Sequence, residues 1–320
     1  MSWFCRLATF ALAALAISGF TLSNSRCVQA GTLYVAINGS VSTSGVVRSY
    51  DTATGALLDA NFITGPTWGY SMVGDASGNF YISTFTNSGF INQYDSDGDF
   101  VRTVVSNLTI PTGMAVDDAN NRIYVGEIGF SAGSDRVGVY TLTGSTVNAN
   151  LITGITDPRR LLLDGAGGLF VLDANNDNLS KYSTATANTK VPGFTESTRG
   201  SLAMSYQTSG TLVSTNAGGT NVLGKINPTT GAVVATGASG VIGSAMAIDE
   251  FGNIYVVNPS SDTIQKYDAS GILLNASFIT GLPGKSNGMV YVVPEPSTCV
   301  MALAGIACGG YSMWRRRTRA

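Results

Sequence analysis

Two short acidic ladders are the residues best spaced for chemistry. Asp95, Asp97 and Asp99 alternate, and so do Asp173, Asn175 and Asp177. A calcium loop presents its oxygen ligands at such alternating positions. Neither ladder carries the closing glutamate, and Ser106 stands at that place in the first. Each therefore reads first as a polar turn between strands, with weak calcium binding as the other use. No further cofactor is implied. Arg159 and Arg160 follow Pro158. Paired guanidinium groups suit an anion or a sugar acid. The competing reading is one arginine in solvent and the other paired with a loop aspartate. Trp68 and Tyr70 offer flat apolar faces on which a sugar ring could stack, against plain core packing.

Missing residues narrow the chemistry further. The chain of 320 residues has no histidine. That excludes Ser-His-Asp and Cys-His catalysis, and zinc sites built on His. The four cysteines, Cys5, Cys27, Cys299 and Cys308, all lie near the ends. Residues 31–293 therefore have neither a disulfide nor thiolate chemistry. A body of that size can bury enough core without staples. It holds 12 Lys+Arg against 19 Asp+Glu, a net charge of −7. This argues against nucleic acid, which requires a basic footprint, and against docking on anionic lipid.

The elements that must position these residues recur along the chain. An apolar segment ends in Asp before a turn at Met114–Asp117, Leu161–Asp164 and Met246–Asp249. A β-branched and aromatic segment follows, as at Ile123–Val125, Leu169–Val171 and Ile254–Val256. A third ends in tyrosine at Tyr94, Tyr182 and Tyr267, and a fourth ends Ile-Thr-Gly at Gly65, Gly154 and Gly281. The first segments end at Asp75, Asp117, Asp164, Tyr206, Asp249 and Val292, spaced by 42 to 47 residues. Four strands at that period mark a β-propeller. The count of copies and the phase of the ends agree on six blades, against a seven-blade ring, whose extra blade is not found, or an open solenoid, which would not need complementary ends. Leu33–Val35 is a second-type strand, and Gly288–Val293 is a first-type strand followed only by the segment 294–320. Pairing the two completes a blade. The expectation is an all-β chain, a six-bladed propeller over 31–293 closed by its last strand on its N-terminal strands. The Asp residues at the turns read as caps for Asp-x-x-Gly-Asn turns.

Both ends look like targeting segments. Arg6, the apolar run Leu7–Phe20 and Val28-Gln29-Ala30 predict a signal helix within 1–30, cleaved between Ala30 and Gly31. After Pro294-Glu295-Pro296 comes an uncharged run, 298–314, the length of a short transmembrane helix, then Arg315-Arg316-Arg317. In this order the segment 294–320 resembles the PEP-CTERM sorting domain of Gram-negative bacteria. That resemblance implies that Pro294, Glu295 and Pro296 are recognised by an exosortase-like enzyme. Signal peptidase and the general secretion machinery would act first. The implied destination is the cell surface or extracellular matrix, after transient anchoring in the inner membrane.

Asp173–Tyr182 and Asn258–Tyr267 resemble NHL-repeat and related six-bladed propellers. That resemblance implies a fold and a binding scaffold; an exopolysaccharide or a surface protein is the expected partner of the exported disc. It implies no single reaction. The alternative is a divalent-metal lactonase of the gluconolactonase type, whose relatives hold a metal with carboxylate and amide oxygens at the central opening. Acidic side chains converging there from three or more blades would favour it.

Overall fold

The structure is a computed structural model. It describes residues 31–38, 45–65, 69–176, 178–194, 197–198, 203–207, 210–215, 222–283 and 286–292. Trp68, Asp177, Ala30, the Pro294-Glu295-Pro296 motif, the signal helix and the 298–314 helix lie outside the described residues. Among the described residues, no helix is long and apolar enough to cross a membrane.

Alternating apolar and polar residues with frequent valine, isoleucine and tyrosine favour pleated strands, and turns interrupt them every few residues. Six four-stranded antiparallel sheets result. Blade 1 consists of β1 (Thr32–Ile37), β2 (Val46–Asp51) and β3 (Leu57–Thr64), with β24 (Ser286–Val292) on its inner side. Blade 2 is β4 (Gly69–Gly74), β5 (Phe80–Thr84), β6 (Gly89–Tyr94) and β7 (Phe100–Leu108). Blade 3 is β8 (Pro111–Asp117), β9 (Arg122–Glu127), β10 (Arg136–Thr141) and β11 (Thr146–Thr153). Blade 4 is β12 (Pro158–Leu163), β13 (Gly168–Asp173), β14 (Asn178–Ser183) and β15 (Ser197–Thr198). Blade 5 is β16 (Met204–Tyr206), β17 (Leu212–Ser214), β18 (Val222–Ile226) and β19 (Val233–Ser239). Blade 6 is β20 (Met246–Ile248), β21 (Ile254–Asn258), β22 (Thr263–Tyr267) and β23 (Leu273–Ile279).

The last strand closes the first blade, as the phase of the ends requires. β24 pairs antiparallel with β1, placing Val292 opposite Thr32 and Met289 opposite Val35. Buried side chains then form six clusters, each between two successive blades. The cluster joining blades 6 and 1 contains Leu33, Val35, Tyr50 and Met289 beside Ala245, Tyr255 and Ile264. It joins the first and last described strands as the other clusters join successive blades. Second strands are sandwiched on both faces, which is why β5 and β13 are buried along their whole length.

The turn aspartates act as caps. Asp249 accepts from the amides of Phe251 and Asn253, from Asn253 Nδ2 and from the Tyr255 hydroxyl, at 2.7–3.0 Å. Asp75 does the same for Ser77, Asn79 and Tyr81. The fifth copy corrects the sequence reading. Gln207, not Tyr206, occupies the turn position: its amide donates to Thr211 O and its carbonyl accepts from Gly210 N, the pattern Asp75 and Asp249 make. Tyr206 is the last strand residue and packs on Phe170 at 5.9 Å.

Blade 4 lacks the tyrosine hydroxyl, because Phe170 replaces it. Lys181 takes over. Its Nζ lies 2.7 Å from Asp164, donates to Pro228 O of blade 5 and sits over the Phe170 ring. Burial pushes the Asp164 carboxyl up, but the bonds from Lys181 and the amides of Ala166 and Gly168 outweigh this and hold it below its usual range. A lowered carboxylate contributes stability above its unfolded pKa and loses it as pH falls through the folded value. Lys181→Met should therefore cost about 2 kcal/mol at neutral pH, allowing for partial solvation of the pair. The deficit should shrink on acidification below the ordinary carboxylate range. Urea midpoints across that range measure it, and a pH-independent deficit would show that the ion pair is not its source.

Candidate functional site

Six inner strands converge on one axis, so the positions nearest it are crowded. Four residues before each turn residue stand Ser71, Gly113, Arg160, Ala203, Ala245 and Gly288. Five are small, and the sixth is an arginine. A β-carbon on Gly113 would lie 2.7 Å from Arg159 O and 2.8 Å from Arg160 Cα. The small residues leave room for a single long side chain to cross the axis.

Arg160 crosses it. Its guanidinium donates to Ser244 O, at the entrance to blade 6, and to Asn287 O of blade 1 at 3.1 Å, and also to Arg159 O. The Tyr70 ring of blade 2 lies 5.8 Å from its central carbon. One side chain thus ties blade 4 to three blades across the ring. Desolvation pulls its pKa down, Tyr70 opposes this, and Arg159 adds to the fall. Arginine remains a cation regardless. Arg159 turns away and pairs with Asp157 at 2.7 Å. The adjacent arginines therefore do not form one anion clamp. Tyr70 stacks on Phe85 at 4.7 Å, which fixes the ring that faces Arg160.

Along the channel, a cavity of about 410 Å³, runs a second ring one residue nearer the turns. Met72, Met114, Leu161, Met204, Met246 and Met289 line it. Each belongs to the cluster shared with the preceding blade. Residues 31–293 contain no other methionine. Thioether side chains are unbranched and adaptable, which suits a wedge whose gap differs slightly at each seam. The spacing of methionine three residues before the turn was visible in the sequence and was the missed signal of the channel wall.

The described channel lining includes no Asp or Glu. Among the described residues, no three acidic side chains gather where they could hold a metal ion. The described donor set at the central opening, without a carboxylate, does not fit a divalent metal, so no lactonase step is derived through one. The acidic ladders lie elsewhere. Asp95 accepts from the amides of Asp97 and Asp99 in the β6–β7 hairpin, where Asp97 and Asp99 are exposed. Asp173 accepts from the Thr156 amide and hydroxyl and from Asn176, while Asn175 is exposed. Asp173 and Asn176 also border a hollow of about 120 Å³ with Ser180, Tyr182 and Lys190, where blade 4 has little outer strand.

Buried carboxylates on both sides of blade 3 were not legible in the sequence. Glu127, 1% exposed, takes both nitrogens of Arg136 at 3.0 Å and accepts from Thr109 N and the Tyr140 hydroxyl. Asp135 accepts from the amides of Gly129 and Asp157. Asp157 adopts φ 55°, and its Oδ1 is buried with no hydrogen-bond partner among the described residues. Burial pushes its carboxyl up and Arg159 pulls it down, with Asp135 and Asp173 adding to the rise. Glu127 ties blade 3 to the connection from blade 2, and Asp135 ties it to the entrance of blade 4.

No family model and no curated protein matches the chain. Solved structures do. A chain of a nidogen/laminin complex is similar at 15% identity and TM-score 0.66, over 82% of this chain and 98% of its own. A Bacteroides caccae protein of unknown function aligns at 10% identity and TM-score 0.58, over 83% and 100%. A Lactobacillus plantarum protein aligns at 15% identity and TM-score 0.55, over 82% and 99%. At such identities the likeness is one of fold, and the fold is a six-bladed propeller.

Proposed function

We propose that the chain is an exported surface or matrix protein whose disc is a non-enzymatic binding and structural scaffold. The observation that carries this reading is the channel. Arg160 crosses its mouth, thioether and small side chains line it, and the repeated carboxylates cap turns instead of facing the axis. Among the described residues, no group of carboxylates faces the axis to hold a metal. The nidogen/laminin neighbour sits in a protein–protein complex, which is consistent with a disc used for assembly. Delivery rests on the two ends: secretion through 1–30, then recognition of Pro294-Glu295-Pro296 by an exosortase-like enzyme.

Replacing Pro294 and Glu295 with alanine in cells should leave the protein membrane-bound with its tail intact. Unchanged processing would refute the sorting motif. The scaffold reading is tested on the purified protein with millimolar calcium. No lactone should be hydrolysed above the buffer rate, and metal-dependent turnover would overturn it.

A further inference from the structure

The outer strands carry an unusual surface. After each outer turn the strand opens with exposed apolar side chains, where edge strands are normally guarded by charge or proline. Leu58, Phe100, Val234, Ile272 and Leu274 are 55–64% exposed. They lie on blades 5, 6, 1 and 2, or in the turn just before an outer strand, and so recur along an arc of four consecutive blades. The other side of the disc differs. Blade 3 offers Val147 alone, and in blade 4 Lys190 bridges to Tyr182 where an outer strand would run.

The arc surrounds the point where the described chain ends. In blade 1, Val292 is opposite Thr32, Thr32 is opposite Asp51, and Leu57 is opposite Tyr50. The end of β24 and the apolar start of β3 therefore share one end of the same sheet. Beyond Val292 the sequence continues with five residues, then the uncharged run 298–314. Five extended residues span at most about 18 Å. If that run enters a bilayer, this end of the disc is held against the lipid surface, with the arc on the side facing it.

We infer that the apolar arc on blades 5, 6, 1 and 2 rests in the interfacial region of a neutral lipid bilayer while the tail is anchored. This rests on the anchoring reading of the tail. Apolar side chains on a held surface gain by burial at the headgroup boundary without a charge partner. The same end of the disc carries Asp97, Asp99 and Asp268, and the body is acidic, so an anionic surface is disfavoured.

The test uses the full chain in phosphatidylcholine vesicles, with an environment-sensitive fluorophore on one cysteine at a time. Native Cys308 reports the tail. Leu58→Cys and Leu274→Cys report the arc, and Phe130→Cys, exposed on the opposite face, is the control; the other cysteines become serine. A quencher attached to the lipid should extinguish most of the emission at 58 and 274, and little at 130. Adding phosphatidylglycerol should reduce the quenching at 58 and 274 and leave Cys308 unchanged. Protected Cys308 with water-exposed 58 and 274 overturns the docking alone. Water-exposed Cys308 overturns the anchoring and the docking with it. A dry environment at 58 and 274 that needs no lipid assigns the arc to a second copy, and also overturns the proposal.

Discussion

Gly113→Val should destabilise the protein by about 3 kcal/mol or more, the upper range for overpacking a tight core. The reason is backbone against backbone. A β-carbon at Gly113 would meet Arg159 O, Arg160 Cα and Arg159 C at 2.7–2.9 Å, and no rotamer change can move those atoms aside. Blades 3 and 4 would separate at the axis, where Thr112 Oγ1 donates to Pro158 O at 2.6 Å and locks the same two strands. Gly113→Ala should cost less, about 1–3 kcal/mol. Chemical unfolding of both variants measures the series. Equal stability of Gly113→Val and the parent would mean that the inner strands are not in contact there. Ala245→Val provides the comparison: it also stands in the axial ring, on the seam of blades 6 and 1.

The second large effect concerns closure. A chain ending after Pro283 lacks β24, and should lose cooperative unfolding altogether. Without β24, β1 exposes an inner edge and Leu33, Val35 and Ala245 lose Met289. Each buried side chain of this kind contributes about 1.5–3 kcal/mol. The exposed set then exceeds the few kcal/mol margin of most domains. Moving the strand instead of removing it should rescue the fold. Val292 stands opposite Thr32, so a hairpin of two to four residues can join them. A permuted chain that begins at Ser286, joins Val292 to Thr32 and ends at Pro283 should unfold in one transition near the parent midpoint. A broad or absent transition would mean that closure depends on more than this pairing.

The repeat itself was written in the residues. Asp75, Asp117, Asp164 and Asp249 cap turns by local hydrogen bonds, and a local bond needs only the right residue at the right spacing. Period-2 runs bounded by these turns give strands for the same reason. A first-type strand at Gly288–Val293 and a second-type strand at Leu33–Val35 pointed to a ring, and the pairing of Val292 with Thr32 closes it. The fifth copy was misread by one residue because glutamine in place of aspartate removed the marker. Only the hydrogen bonds of Gln207 located the turn.

The sequence by itself determined the blade count, the strand order, the closing strand and the absence of histidine chemistry, because these follow from spacing and composition. Tertiary structure alone decided what the side chains face. Six strands converging on an axis exclude all but one long side chain, so Arg160 crosses the channel while Arg159 beside it pairs with Asp157. Asp135 meets the Asp157 amide between blades 3 and 4, and Glu127 meets the Thr109 amide on the connection from blade 2, because packing brings distant turns together. The apolar arc is visible as an arc only once four outer strands stand side by side around the ring.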